Sequence, residues 1–246
     1  MKYRTVALGP FTELSIQPRE VVGLVVNKIA AQPIFKLSIG EGAGVHLIVP
    51  AIPVNSEYTI EVDSLAQCTI SILGKLRRQH QSNLSVNLKG QQAKVNLELA
   101  CVGEVDSAAT FNLTLDHLAP RTVGRITSRR VQQGKSASSL LGRLLIAESA
   151  HGTDTYLSDK VLLWGSEAQA KSEPQLEILA DDVKASHGAT IGQLSQAELF
   201  YLRSRGLPQV EAEVMLLTAF LKPALVGVPL DLTHQLLHGL STWQSA

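Results

Sequence analysis

Few side chains in this sequence have the types and spacing that chemistry requires. The candidates are His187 and the adjacent carboxylates Asp181 and Asp182. A neutral imidazole nitrogen can ligate iron, and a carboxylate pair can serve in general acid–base catalysis. Neighbouring residues of a strand point to opposite faces, so Asp181 and Asp182 are predicted to form a turn pair that bonds backbone amides. A lone histidine is also compatible with a hydrogen-bonded place in the core or at an interface.

The two cysteines follow the apolar phase of their segments. Cys68 shares the phase of Ile70 and Ile72, and Cys101 shares that of Val95, Leu97 and Leu99. Both are therefore predicted to be buried small hydrophobic side chains. Two cysteines without a Cys-x-x-Cys motif are too few for a disulfide framework or a metal clip.

The charge balance argues against a nucleic-acid partner. Lys and Arg number 22, as do Asp and Glu, so the formal net charge is zero. The local basic residues are predicted to be solvated corners between strands; they are Arg77, Arg78, Arg121, Arg125, Arg129 and Arg130. Gly134-Lys135-Ser136 ends like a phosphate-binding loop but lacks the upstream glycine, so no ATP site is predicted.

The hydropathy pattern predicts a cytoplasmic protein without a membrane contact. No run reaches the ~18 apolar residues that a spanning helix needs. The first residues, Met1-Lys2-Tyr3-Arg4, do not open the apolar stretch of a signal peptide.

Strand-like alternation fills the chain from about residue 12 to 192. Leu84, Val86 and Leu88 alternate with polar residues, and similar runs recur after short polar or Gly-containing breaks. Many short strands predict a sandwich, a barrel or a β-solenoid. The sequence has no Asn-Gly or Asp-Gly hairpin dipeptide, which favours the solenoid.

Helical signals begin after Gly192. Ser195 and Glu198 form a capping box, Gly206 can end the first helix, and Pro208 can start a second that runs to about Lys222. Its predicted apolar stripe is Val210, Val214, Leu217, Phe220 and Leu221, and a third helix is predicted from Leu230 to Leu240. We therefore expect a β core over 1–193 and a C-terminal helical domain over 194–246.

The stretch from Ser172 to Phe220 carries a long ordered pattern. It contains a Pro-x-Leu-Glu-Ile strand from Pro174, then Asp-Asp-Val-Lys, Ser-His-Gly-Ala-Thr, and a helix with Phe-Tyr-Leu-x-Ser-Arg-Gly. This string closely resembles the SufB/SufD family of iron–sulfur cluster assembly proteins. A weaker likeness extends upstream from Leu163 to Leu115, and residues 1–110 match only in general strand character.

The resemblance implies a mainly β fold: a right-handed parallel β-helix followed by a small α-helical domain. It implies a non-catalytic scaffold subunit of a cytoplasmic complex. Its partners there would be a SufC-type ABC ATPase and a SufB-like subunit. No resident cofactor is implied; a transient iron–sulfur cluster or iron is what the family suggests.

Two positions make the chain SufD-like. Asp159 stands where the resemblance places the essential cysteine of SufB, and Gly188 stands where SufB has a glutamate. The resemblance leaves His187 as the candidate iron or cluster ligand. Ala185 stands where many SufD proteins have a cysteine, so a thiol beside His187 is missing.

The resemblance also assigns partner binding to the first C-terminal helix. Phe200, Tyr201, Arg203 and Arg205 lie on it or just after it. Aromatic and Arg side chains are enriched at binding hot spots, so we expect them to dock the ATPase; ordinary packing with solvated arginines is the alternative.

Other interpretations remain open. Family members are longer and carry an N-terminal helical domain, whereas strands begin near the start of this chain. We therefore expect that domain's contacts to be absent, and self-pairing into a homodimer is an alternative to pairing with SufB. A standalone β-solenoid that binds a carbohydrate or protein ligand is a second function, and a metal-dependent enzyme using His187 with Asp181 or Asp182 is a third.

Overall fold

A computed structural model describes residues 2–52, 55–76, 79–104 and 106–238. Fifteen strands occupy the described part of the chain before the helices. The strands are β1 (Tyr3–Leu8), β2 (Phe11–Ile16), β3 (Val21–Ile29), β4 (Ile34–Ile39), β5 (Gly44–Val49), β6 (Ser56–Val62), β7 (Gln67–Leu76), β8 (Gln79–Leu88), β9 (Lys94–Gly103), β10 (Ala108–His117), β11 (Val123–Gln133), β12 (Ala137–Ile146), β13 (Thr153–Trp164), β14 (Gln169–Ile178) and β15 (Val183–Gln193). The helices are α1 (Gln196–Ser204), α2 (Gln209–Leu221) and α3 (Leu230–His238), with a short 3₁₀ turn at Lys222–Ala224.

The strands form two parallel sheets that the chain visits in turn. The odd-numbered strands make sheet A in the order β1-β3-β5-β7-β9-β11-β13-β15, and the even-numbered strands make sheet B from β14 to β2. Each coil thus adds one strand to each sheet. The predicted parallel β-helix with C-terminal helices is confirmed, and a hairpin-built sandwich is excluded.

Side chains of equal phase stack along the solenoid and form its core. One inward row of sheet A runs through Leu47, Ile70, Leu97, Ile126 and Leu157, whose backbones pair in register. All five are at most 1% exposed, and burying one such side chain stabilises by roughly 1.5–3 kcal/mol. Cys68 and Cys101 are buried in the same core, as predicted.

Most corners from sheet B to sheet A share one conformation. Six of the seven contain a residue of positive φ, and the corner between β14 and β15 does not; the six residues are Arg19, Gly42, Leu65, Gln92, Arg121 and Gly152. Their amides donate along the corner from coil to coil, as from Gln92 to the Pro120 carbonyl (3.1 Å) and from Arg121 to the His151 carbonyl (2.7 Å). These hydrogen bonds offset the cost of about 1–2 kcal/mol that a non-glycine residue has in the left-handed backbone region. Arg121 is exposed at its corner, as predicted.

Three other arginines overturn the prediction of solvated corners, because all three lie within strand β11; Arg125 is only partly exposed there. Arg129 is half-buried beneath the Phe220 ring, with the guanidinium carbon 6.0 Å from the ring centroid. Arg130 is fully buried. Arg129 is on the outer face of β11, which the helices cover, and Arg130 is on the inner face. Arg77 and Arg78 lie outside the described residues.

The buried guanidinium of Arg130 ties the two sheets together. It donates through Nε (3.2 Å) and Nη2 (2.6 Å) to the carboxylate of Asp159, whose side chain is also fully buried. It also reaches sheet B, donating through Nη1 to Ser138 Oγ (2.6 Å) and through Nη2 to the Lys171 carbonyl (3.1 Å). Charge-assisted forked bonds of this kind fix the geometry of all partners.

The C-terminal helices begin with the predicted cap and pack on sheet A. Ser195 Oγ accepts from the Glu198 amide (3.2 Å), and Gly206 after α1 has a positive φ. Leu217 and Leu221 of α2 share a buried cluster with Leu73 and Val131 on the outer face of sheet A. The division into domains at residue 193 stays a prediction. The last residues of the predicted third helix, from 239 onward, lie outside the described residues.

The buried ion pair predicts an asymmetric response to mutation. Asp159→Asn leaves the Arg130 charge buried without its counter-ion, so we expect a loss of about 3–5 kcal/mol in the free energy of unfolding. The double variant Arg130→Met, Asp159→Leu should lose less than either single change because no lone charge remains. Urea denaturation measures both.

The control is the exposed pair on the same two strands. Arg125 Nη2 and Asp154 Oδ2 are 2.9 Å apart with side chains 36% and 44% exposed. Arg125→Met should cost about 1 kcal/mol or less. Equal losses for Asp159→Asn and Arg125→Met would contradict the role given to burial.

A second buried polar group makes stability depend on pH. His117 is fully buried and Nδ1 lies 2.8 Å from Thr122 Oγ1. Burial, followed by the nearby charge of Arg125, lowers its pKa from 6.5 to about 4. As the pH falls from 6.5 to about 4, His117 takes up a proton in the unfolded chain but stays neutral in the folded chain.

Stability should therefore be complete above pH 6.5 and should fall by on the order of 3 kcal/mol as pH drops to about 4. His117→Gln should flatten this slope, whereas His151→Gln at an exposed position should not. Denaturant midpoints measured across this range give the slope. A slope unchanged by His117→Gln would sink the assignment.

Candidate functional site

The last coil leaves two long strand edges without a neighbour. β14 and β15 end the orders of sheets B and A, and within the described residues no strand pairs with their outer edges. They contain 10 and 11 residues, most of them exposed. Unpaired edges of this length are templates for adding another strand.

His187 lies at this open end, in the row of the core. It pairs in register with Leu157, which is fully buried. The histidine is exposed because no further coil covers it in the described chain. Its place in the apolar phase agrees with the sequence, and its exposure makes it reachable by a partner.

Asp159 lies one coil away from this end, on β13, and its side chain is buried. Its neighbour in the last coil is Ala189, and its carboxylate is held by Arg130 as described. Asp181 and Asp182 lie in the bend before β15, where the Asp182 carbonyl accepts from the Gly152 amide (2.7 Å). Among the described residues, no group of three or more His, Cys, Asp or Glu side chains could hold a metal ion. His187 as an iron ligand stays a prediction.

Neither cysteine can supply a thiolate here. Both are fully buried in the stem, and burial raises the pKa of Cys68 and of Cys101 to about 12. A thiolate is the species that ligates iron. Any sulfur ligand at the open end would have to come from outside this chain.

Exposed apolar side chains surround the open end. Ile178 and Ile191 are 41% and 43% exposed, and Leu179 is 63% exposed. Ile178 and Ile191 lie on the two edge strands, and Leu179 follows β14. Apolar surface beside free backbone donors and acceptors suits a protein partner better than water.

The four residues predicted to bind a partner are all exposed on α1 and its end. Phe200 and Tyr201 are 72% and 56% exposed. Arg205 lies over the Tyr201 ring at 5.3 Å, and its Nη2 is 3.3 Å from the Tyr201 hydroxyl. Arg203 follows Phe200 by three residues, so the two are neighbours on the helix surface. The partner itself stays a prediction.

Two apolar grooves beside these residues were missed by the sequence analysis. Both are bordered by Met215, which is 49% exposed. One, of about 490 Å³, lies between α1 and α2 and includes Tyr201 and Leu202; the other, of about 590 Å³, includes Pro208 and Val210. The predicted stripe of α2 is confirmed for Leu217 and Leu221 and wrong for Val210, which is 39% exposed. Helical spacing alone does not tell which of two apolar faces meets the sheet.

The described helices are too short or too polar to cross a bilayer. This finding concerns the part of the chain that the structure describes.

Comparison with known proteins gives a family. Residues 54–220 match the family described as "SUF system FeS cluster assembly, SufBD core domain". The chain is 31% identical over 167 residues to the iron–sulfur cluster assembly protein SufD of Escherichia coli strain K12, covering 68% of this chain and 39% of that protein. With SufD of Bacillus subtilis strain 168 it shares 28% over 150 residues, covering 61% and 34%. With SufB of the same organism it shares 27% over 147 residues, covering 58% and 31%.

The chain thus spans less than two fifths of the length of these relatives. The matched region nevertheless contains both the open end of the solenoid and most of the first two C-terminal helices. Because the family match covers residues 54–220, more than half of the chain, this chain belongs to the SufB/SufD family and is SufD-like.

Proposed function

We propose that this chain is a non-catalytic scaffold subunit in iron–sulfur cluster assembly by the SUF system, acting in the cytoplasm. The supporting observation is that the family match spans residues 54–220, a range that includes most of the stem, the open end and nearly all of α2. Two exposed surfaces in that region suit protein partners. The described residues contain no cluster of metal-ligating side chains, so the chemistry would be completed by the partners.

The open end is proposed to pair with a SufB-like subunit, or with a second copy of this chain. Strand addition at β14 and β15 would satisfy their free backbone groups and cover Ile178, Leu179 and Ile191. His187 would then lie at the interface, where a neutral ring nitrogen can contribute one ligand to iron or to a nascent cluster passing through the complex.

We expect Ile191→Lys to weaken pairing about tenfold or more, because a charged side chain on an edge strand opposes strand addition. Val21→Lys is the matched control, since Val21 is 64% exposed on β3, away from the open end. Sedimentation or pull-down with a SufB-like subunit measures the affinity. If Ile191→Lys pairs like wild type, the open end is not the interface.

The variant His187→Ala tests the proposed iron ligand independently of the pairing interface. Pairing should persist because only one side chain is shortened, whereas iron retained by the purified pair should fall. Metal analysis of the wild-type and variant pairs measures this. Equal iron content would remove His187 from the site.

The α1 surface and the grooves at Met215 are proposed to dock a SufC-type ABC ATPase. Phe200, Tyr201, Arg203 and Arg205 supply the exposed aromatic and Arg side chains that dominate binding energies. The grooves accept apolar side chains of the partner. ATP hydrolysis would belong to that partner, because this sequence has no phosphate-binding loop motif.

The double variant Phe200→Ala, Arg203→Ala should lower the affinity for the ATPase about tenfold or more, since both residues are exposed and contribute little to the fold. Lys135→Ala, at an exposed corner of the stem, is the control. A pull-down with the ATPase reads out both. Unchanged binding of the double variant would contradict docking at α1.

A further inference from the structure

A small polar cleft lies where the stem meets the C-terminal helices. It has a volume of about 280 Å³ and is bordered by the end of β13, the turn after it, the link from β15 to α1, and both α1 and α2. Trp164 and Ser166 line it from the stem, Leu199 from α1, and Gln209 with Glu213 from α2. In the described chain it shares no lining residue with the two grooves at Met215, so it is a separate feature of the junction.

The place of Glu213 follows from the spacing of α2. Gln209 and Glu213 are four residues apart, so they lie one above the other on the same side of the helix. Gln209 is exposed, whereas Glu213 is only 5% exposed. Gln209 Nε2 donates to Glu213 Oε1 at 2.9 Å. Within the described chain no second donor reaches this carboxylate, so its other oxygen is left for a group that enters the cleft.

The cleft has no positive charge that balances this carboxylate. None of the described residues that line it is Lys, Arg or His. Glu167, one residue after Ser166, is by contrast exposed and lies 3.6 Å from Lys135. Buried charges in proteins are normally paired, because removal from water disfavours an isolated ion. Glu213 therefore provides a negative site that a cation from outside this chain can fill.

The lining favours an organic cation over a metal ion. Glu213 is the one carboxylate among the described residues of the cleft, whereas a calcium ion takes about six to eight oxygen ligands. Trp164 supplies an indole ring on the stem side, and Trp is the side chain to which guanidinium groups bind best. A planar guanidinium also makes forked bonds to a carboxylate. An Arg side chain suits both groups.

The size and place of the cleft favour a partner's side chain over a free metabolite. Small-molecule sites usually measure about 300–1,000 Å³, and this cleft is smaller. Leu199 in its lining immediately precedes Phe200 of the α1 surface. Helix α1 has nine residues and is therefore about 14 Å long. One protein seated on α1 reaches both the exposed aromatic residues and the cleft.

We propose that this cleft receives one Arg side chain of the ATPase that docks on α1, with Glu213 as its counter-ion. The inference rests on the docking proposed above. It adds a contact that the α1 surface alone does not provide, because Trp164 and Ser166 belong to the stem and Glu213 belongs to α2. The arginine would thus join the partner to the stem as well as to the helices.

NMR titration of the full chain with butylguanidine tests the cleft without the ATPase. Butylguanidine should bind saturably with a Kd of about 1–10 mM, and its neutral isostere N-butylurea should bind at least about tenfold more weakly. Glu213→Gln keeps the size of the side chain and removes its charge, so it should abolish the difference between the two compounds. No saturable binding of butylguanidine, or equal binding of both compounds by the wild-type chain, would overturn the proposal. That comparison holds even if Glu213→Gln does not fold.

Affinity for the ATPase tests the partner. Glu213→Gln should weaken ATPase binding about tenfold or more, whereas Glu167→Gln, at the exposed carboxylate beside the cleft, should bind like wild type. Undiminished binding by a folded Glu213→Gln variant, as checked by thermal denaturation, would show that the cleft does not receive the partner's arginine. If the wild-type chain itself binds no ATPase, docking at α1 is contradicted, and the butylguanidine titration alone decides whether the cleft takes a guanidinium.

Discussion

The in-register stacking of parallel coils is the constraint on which everything else in this protein depends. Each inward side chain lies directly over one of its own phase in the previous coil, so a core forms only while the register is kept. Hydrogen bonds between the corners of successive coils maintain this register. Gln92 and Arg121 adopt a backbone conformation that non-glycine residues rarely take, and the backbone N–H of each donates a hydrogen bond to a carbonyl of the next coil.

Near its open end the stem departs from an apolar core. Arg130 lies in register with Cys101 of the preceding coil and Asp159 with Ser128, and the guanidinium joins both sheets. Asp159 stands where the resemblance places a SufB cysteine. Its carboxylate is buried and does not reach the surface. His187 presents an exposed imidazole at that end, whereas both cysteines are buried in the stem.

The sequence predicted those features that depend on local pattern. Period-two alternation located the strands, and Ser195 with Glu198 located the start of the helices. The burial of Arg130 could not be predicted from the sequence, because the carboxylate of Asp159 lies 29 residues away and becomes adjacent only after the coils have stacked. The left-handed corners were equally hidden, since four of the six residues at these positions are not glycine. For Met215 and Val210, both faces of α2 are apolar enough to pack, and only contact with sheet A decides between them.

The seating of α2 on sheet A has a mechanical consequence. Leu217 and Leu221 share one buried cluster with Ile48, Leu73 and Val131, which belong to β5, β7 and β11. A force applied to the helices would thus enter the stem through its middle coils, as shear spread over several hydrogen-bonded strands.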